Sequence, residues 1–448
     1  MPEAFYSLSL KKIDAGTRVP AFYHLRCFMY KTYVLPNGLR IICEYIGYVR
    51  SVSVGVFVKN GSRHEPQELS GISHFIEHML FKGTEKRSAL DIAEEVDTVG
   101  GALNAYTTKE YTCFYAKMLD ENLDTALDVL SDMLLHPKLS DGDIALEKNV
   151  VYEEIAMYED SPEDMVHELI MEAAWGVESG LGASTLGTKE TLSKIDSRVL
   201  RDYMAKTYTP KNCVIAVAGN FSDDIEQRIA AYFGTWGGSG VVADTFQEQY
   251  HANRIIRQKE IEQVHFCLGF PAYPSEDDRN YPALAFNNIF GAGMSSSLFQ
   301  KVREQRGLVY SIFSYMASYL DTGMFVISAS MKPENLSEVL RLVYAEIDAA
   351  KCTPLDEKAM YKAKQQLKGN YILGLENVSA RMQSIGRAKL LLGKVRMPEE
   401  ILQRIEKINP ENTFAIVGDI FDYGRMCVSA IGNLDGAELN LLQNPMKK

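Results

Sequence analysis

A segment near the middle of the chain, Cys213-Val-Ile-Ala-Val-Ala-Gly219-Asn220, returns in shortened form as Cys427-Val-Ser-Ala-Ile-Gly432-Asn433. Gly219 and Gly432 stand 213 residues apart, and the strand-like run at 51–58 maps at the same offset onto Val264 to Pro271. A repeat on that scale means one supersecondary plan used twice. Strand-like runs and helical stretches follow one another within each copy, which predicts an α+β fold of two homologous domains, each a mostly antiparallel sheet with helices packed on it. We assign residues 29–235 to the first domain and 253–448 to the second. Residues 236–252, opening on the glycine-rich Trp236-Gly237-Gly238-Ser239-Gly240, are the expected linker. At 448 residues and 46% hydrophobic, the chain has apolar content for more than one core.

The first copy carries chemistry that the second lacks. In Ser70 to Thr84, SGISHFIEHMLFKGT, the spacing predicts a helix with Ser70 as N-cap, Gly83 as the C′ residue and an apolar face of Ile72, Phe75, Ile76, Met79, Leu80 and Phe81. His74 and His78 are four apart, so at about 100° per residue they lie within roughly 40° on one face and can bind one ion. Glu77 stands beside that face. Neutral imidazole suits zinc, and a catalytic zinc site keeps three protein ligands plus a water whose pKa falls towards about 7. A neighbouring carboxylate can take that water's proton. With 8 histidines in the chain, chance supplies only about 0.14 such pairs, so the motif points to metal. Positions 74 and 78 map near Asn287 and Gly291, which leaves the second domain degenerate.

Composition removes several function classes. The balance is 59 acidic against 47 basic residues, net −12, which argues against nucleic acid or an anionic membrane as partner. No apolar run approaches the roughly 18–20 residues of a membrane span. The 7 cysteines are odd in number and free of CxxC spacing, as reduced and mostly buried thiols would be. Residues 1–28 lack a basic segment followed by an apolar core, so they are not read as a secretory signal, and Glu3 and Asp14 argue against a mitochondrial transit peptide. They are expected to be an N-terminal extension ahead of a hairpin turning at Asn37-Gly38. A bacterial cytoplasmic location is expected over the mitochondrial matrix.

Downstream, helices are expected near 89–98, 121–135, 142–159 and 197–207, and another from Ser161-Pro162, a capped start with proline at N1, to Trp175. Helix 142–159 carries Glu147 and Glu154, seven apart and thus about two turns along one face, with Glu153 competing for the third-ligand role. Here EKNVVYEEIAMYEDSPED, together with HxxEH, resembles the inverted zinc-binding signature of the pitrilysin-like M16 metallopeptidases, the inverzincins, which include mitochondrial processing peptidase, insulin-degrading enzyme and pitrilysin.

The resemblance implies His74, His78 and Glu154 as ligands to one zinc per subunit, Glu77 as general base and Glu147 as a supporting carboxylate. The family's spacing of seven selects Glu154 over Glu153. Gly100-Gly101-Ala102-Leu103-Asn104-Ala105-Tyr106-Thr107 resembles the family's strand that pairs with an extended substrate, which implies Asn104, Ala105 and Tyr106 in substrate binding. FGAGMSSSLFQKVREQRGLVYSIFS resembles the family's glycine-rich loop and Arg/Tyr pair, here Arg303 and Tyr310, implied to donate to the substrate carbonyl and the developing oxyanion. Arg306 is a decoy that ends the helix.

Likeness from about Met29 to about 435 implies the family's short form, similar to the processing peptidase β subunit and its bacterial counterparts. A homodimer would enclose a chamber in which Arg303 and Tyr310 act on the other subunit's zinc. The implied activity is zinc-dependent endopeptidase cleavage of unfolded peptides, oligopeptides or presequence-like segments. The acidic run Glu153, Glu154, Glu159, Asp160, Glu163, Asp164 offers a means of favouring basic ones. The alternative is an inert or partner-requiring subunit that binds peptide or scaffolds a complex.

Overall fold

Two strands of small and β-branched residues organise the first half. Strands β3 (Ser51–Val58) and β6 (Cys213–Gly219) are buried at nearly every residue, as strands covered on both faces must be. The computed structural model describes residues 30–242 and 248–443. The expected extension at 1–28, with Met29, lies outside the described residues. With β1 (Tyr30–Val34), β2 (Arg40–Tyr45), β4 (Ala102–Thr107) and β5 (Thr112–Leu119), the two strands form a sheet of order β1-β2-β6-β3-β5-β4. Strands β2 and β6 run parallel and the other neighbours antiparallel. The β1–β2 hairpin turns through Asn37 and Gly38, with Gly38 at φ +90.

A second sheet is built from β7 (Arg254–Gln258), β8 (Val264–Ala272), β9 (Ser311–Ser318), β10 (Gly323–Met331) and β11 (Cys427–Gly432), in the order β7-β11-β8-β10-β9. Matching β2 to β7, β6 to β11, β3 to β8, β5 to β10 and β4 to β9 makes the two orders the same, including the one parallel pair, with β1 an extra edge strand on the first sheet. Register agrees as well. Tyr45 opposes Gly219 and Gln258 opposes Gly432, so the 213-residue recurrence is a structural repeat. The fold is α+β.

The first half's helices are α1 (Ile72–Leu80), α2 (Ala89–Thr98), α3 (Leu123–Leu135), α4 (Asp141–Asp160), α5 (Pro162–Trp175), α6 (Lys189–Ser193), α7 (Ser197–Thr207) and α8 (Ile225–Phe233). The second half adds α9 (Asn280–Phe290), α10 (Leu336–Cys352), α11 (Glu357–Gly374), α12 (Val378–Leu392), α13 (Pro398–Glu406), α14 (Pro410–Ile420) and α15 (Gly436–Gln443). On one face of the first sheet Val54 and Val56 share a core with Phe75, Met79, Leu127, Leu130, Ile229 and Phe233.

The opposite face of each sheet is covered by a helix from the other half. Helix α12 lies on β3 and β6, with Met382 and Ile385 against Phe57, Val214 and Ala216. A Cβ on Gly386 would fall 2.1 Å from the Phe57 ring, so glycine is what admits this approach. Reciprocally, α5 lies on β8 and β11, where Val166 and Ile170 meet Cys267, Val326 and Ile431. The connection is packed too: Trp236, read from the sequence as its first residue, is buried in the first core and donates from Nε1 to the Tyr208 carbonyl at 3.1 Å. Its indole has more apolar surface to bury than a free linker could cover.

Candidate metal centre

Helix α1 is held at its start by groups the sequence did not advertise. Gly71 and Ser73 donate their N–H groups to the Glu65 carboxylate at 2.7 and 2.8 Å, so Glu65, not Ser70, satisfies the first orphan donors. Gly71 itself is the N-cap, at φ +92, and a Cβ there would lie 2.6 Å from the Leu186 carbonyl. At the other end Phe81 is the C-cap and Gly83 bridges to Ser88 beyond the helix, so Gly83 is not the C′ residue. Ile72, Phe75, Ile76, Met79 and Leu80 are fully buried, whereas Phe81 is only partly so. Asn60 ties the helix down by donating to Ser73 Oγ at 2.8 Å while accepting from the Tyr203 hydroxyl.

That anchoring leaves the two imidazoles side by side, with ring centroids 4.5 Å apart. Helix α4 brings Glu154 against both: Oε2 lies 3.8 Å from His74 Nε2 and 3.7 Å from His78 Nε2. Those spacings are too long for hydrogen bonds. They approach the roughly 3.4 Å between ligands of a tetrahedral ion with bonds of about 2.05 Å. Ligand atoms of the three residues all lie within 4.8 Å of one another, and His₂Glu is a catalytic zinc donor set. The residues fit zinc. Glu153 is exposed on the same helix and is not in the cluster.

Around the three, second partners set orientation and charge. Glu147, buried on α4, accepts from His78 Nδ1 at 2.8 Å, and Lys82 Nζ lies 2.5 Å from its other oxygen. This bond leaves His78 Nε2 to face Glu154, the arrangement by which a carboxylate fixes a ligating imidazole. His74 Nδ1, by contrast, is buried without a hydrogen-bond partner among the described residues. Burial, with His78 adding to it, pushes His74 down to about 4, which keeps it a neutral donor near pH 7. Burial acts on His78 in the same sense, but the hydrogen bond and charge of Glu147, then Glu154 and Glu77, outweigh it and raise His78. Glu77 is raised, chiefly by burial, against the hydrogen bond it accepts from Thr107. Burial would raise Glu147 too, but His78 and Lys82 together hold it below the usual carboxylate range.

The remaining expected residues lie on two other elements. Asn104, Ala105 and Tyr106 are on β4, the edge strand of the first sheet. Asn104 is exposed and accepts from the Ala105 N–H, Ala105 packs against the first core, and Tyr106 packs edge-on against Tyr111 and Tyr115. Arg303 sits on a widened helical turn, Phe299–Glu304, its guanidinium 4.9 Å from the Phe299 ring centroid. Tyr310, 72% exposed, precedes β9. Among the described residues neither side chain reaches the histidine–glutamate cluster by hydrogen bond or ion pair. Three participants were not picked out from the sequence: Glu65, Lys82 and Thr107. Lys82, four after His78, could have been found by helical spacing, whereas nothing local marks Glu65 or Thr107.

The chain is similar to known proteins over most of its length. The family model described as Insulinase (Peptidase family M16) matches residues 40–189, and that of the Peptidase M16 inactive domain matches residues 194–367. A Bacillus subtilis protein named uncharacterized zinc protease YmxG is 42% identical over 408 residues, covering 91% of this chain and 100% of its own. An uncharacterized zinc protease of Streptomyces coelicolor is 37% identical, with 92% and 91% covered. In fold, the chain is similar to the crystal structure of a protease from Helicobacter pylori, with a TM-score of 0.85 at 20% identity, covering 90% of this chain and 99% of that one.

Proposed function

The chain belongs to peptidase family M16, and from that premise we propose that it is a zinc-dependent endopeptidase cleaving extended, unfolded peptides. The convergence of His74 Nε2, His78 Nε2 and Glu154 Oε2 beside Glu77 carries the proposal. Those three atoms would hold one zinc per chain. When bound, zinc supplies Lewis-acid polarisation of a peptide carbonyl and of water. Glu147 keeps the His78 proton on Nδ1, and Lys82 keeps Glu147 anionic. Glu77 takes a proton from the attacking water and delivers it to the leaving amine nitrogen, so no covalent intermediate forms.

The free edge of β4 offers backbone groups to an extended peptide, which fixes the chain without reading its sequence. Oligopeptides and presequence-like segments fit that mode, and the acidic run from Glu153 to Asp164 favours basic ones. Arg303 and Tyr310 are exposed, and among the described residues neither makes a hydrogen bond or ion pair to His74, His78 or Glu154. This supports a homodimer in which they donate to the substrate carbonyl on the other subunit's zinc.

Cleavage of a quenched, unstructured basic peptide tests the reading. We expect chelator-sensitive cleavage that Glu77→Gln abolishes while zinc stays bound, and partial recovery when Glu77→Gln and Arg303→Ala chains are mixed. Cleavage that survives chelator would sink the peptidase assignment, and mixed chains that stay inactive would sink the exchange of donors between subunits.

A further inference from the structure

Taking the peptidase reading as given, we infer that Thr107 is a positioning residue that fixes the Glu77 carboxylate and joins it to the strand on which substrate docks. Thr107 is the last residue of β4, and its Oγ1 lies 2.5 Å from Glu77 Oε2. A second hydroxyl, Thr112 Oγ1, stands 3.3 Å away on the paired strand β5. Thr112 gives its single hydrogen to the Asn60 carbonyl at 2.8 Å and so has none for Thr107. An ionised carboxylate can only accept, so Thr107 donates and Glu77 Oε2 accepts. One carboxylate oxygen is thereby occupied, and Oε1 is the one left to exchange protons with water and leaving group.

Asn60, which receives the Thr112 hydrogen on its carbonyl, also holds α1 through Ser73. Strand edge, base and metal helix are in this way one hydrogen-bonded piece. A peptide that pairs along β4 is registered against Glu77 by the residue that ends the strand. A misplaced base costs rate more than binding.

The test compares zinc-loaded wild type, Thr107→Val and Thr107→Ser as full chains, by steady-state cleavage of the quenched peptide, zinc content and crystal structure. Valine keeps shape and β propensity but removes the donor. For Thr107→Val we expect kcat to fall about 10- to 100-fold with KM changed less than about twofold and zinc content unaltered. Thr107→Ser should regain most of kcat. A serine variant as slow as valine, or a valine variant at wild-type kcat, overturns the inference, and a rise in KM alone would place Thr107 in docking only. The crystal structures decide the matter independently of turnover: Glu77 should hold one position in wild type and Thr107→Ser and leave it in Thr107→Val. If Glu77 stays in place in Thr107→Val, Thr107 does not position it, even if the wild type cleaves nothing and the peptidase reading itself has fallen.

Discussion

His78 is the residue whose protonation most directly competes with metal. Burial would lower it, but Glu147, then Glu154 and Glu77, raise it in the metal-free protein. Zinc needs His78 Nε2 without its proton, so affinity should fall as pH drops through that raised value. Replacing Glu147 removes the group that does most to raise it. For Glu147→Gln we expect zinc affinity about 10- to 100-fold weaker at high pH, the usual cost of losing a carboxylate behind a ligating imidazole. The sign of the second effect is opposite: with its partner's charge gone, His78 loses protons more easily, so the fall in affinity moves to lower pH. Competition against a zinc indicator between about pH 5.5 and 8.5 measures both. A profile that moves upward, or an unchanged affinity, contradicts the role given to Glu147.

Elements were legible where local rules act alone. Helix α5 starts as read, with Ser161 Oγ accepting from the Asp164 N–H and Pro162 at N1, and α2 spans the Ala89–Thr98 expected of it. The zinc helix was legible in its faces but not its ends. Glu65 reaches its first turn from six residues before Gly71, and a cap that comes from outside the local window leaves no local signal. On α4 the apolar pattern is blurred, because Ile144, Val151 and Ile155 are buried while Leu146, Val150 and Met157 are exposed beside them. The spacing of Glu147 and Glu154 could place both on one face, yet only packing against α1 shows which face meets the histidines. Thr107 lies thirty residues from Glu77 and was visible only as the end of a strand.

At the scale of the whole molecule, the repeat read from Gly219 and Gly432 gave no hint that the halves exchange helices. The exchange carries its own charge pattern. Glu44 on β2 and Arg257 on β7 oppose Ala218 and Ile431, equivalent ladder positions. Glu44 is paired with Arg381 of α12, both buried, through Arg381 Nε at 3.0 Å and a second, shorter contact. Arg257 lies 3.9 Å from Glu172 of α5, the polarity reversed. Each sheet thus meets the other half's helix with a side chain of opposite charge, and the buried Glu44–Arg381 pair is the one whose loss would leave an unpaired charge inside the protein. Arg381→Glu alone should cost about 3–5 kcal/mol by burying two carboxylates, and adding Glu44→Arg should recover much of it. Urea unfolding of the zinc-loaded chain reads the cycle, and strictly additive losses would dismiss the idea. The claim on which function rests is the metal itself, and X-ray absorption at the zinc edge of the zinc-loaded, desalted chain tests it most directly. We expect one zinc per chain with two imidazole nitrogens and a carboxylate oxygen at about 2.0–2.1 Å, and loss of that shell in Glu154→Gln. A chain retaining less than about a tenth of an equivalent, or a shell containing sulfur, would contradict the site.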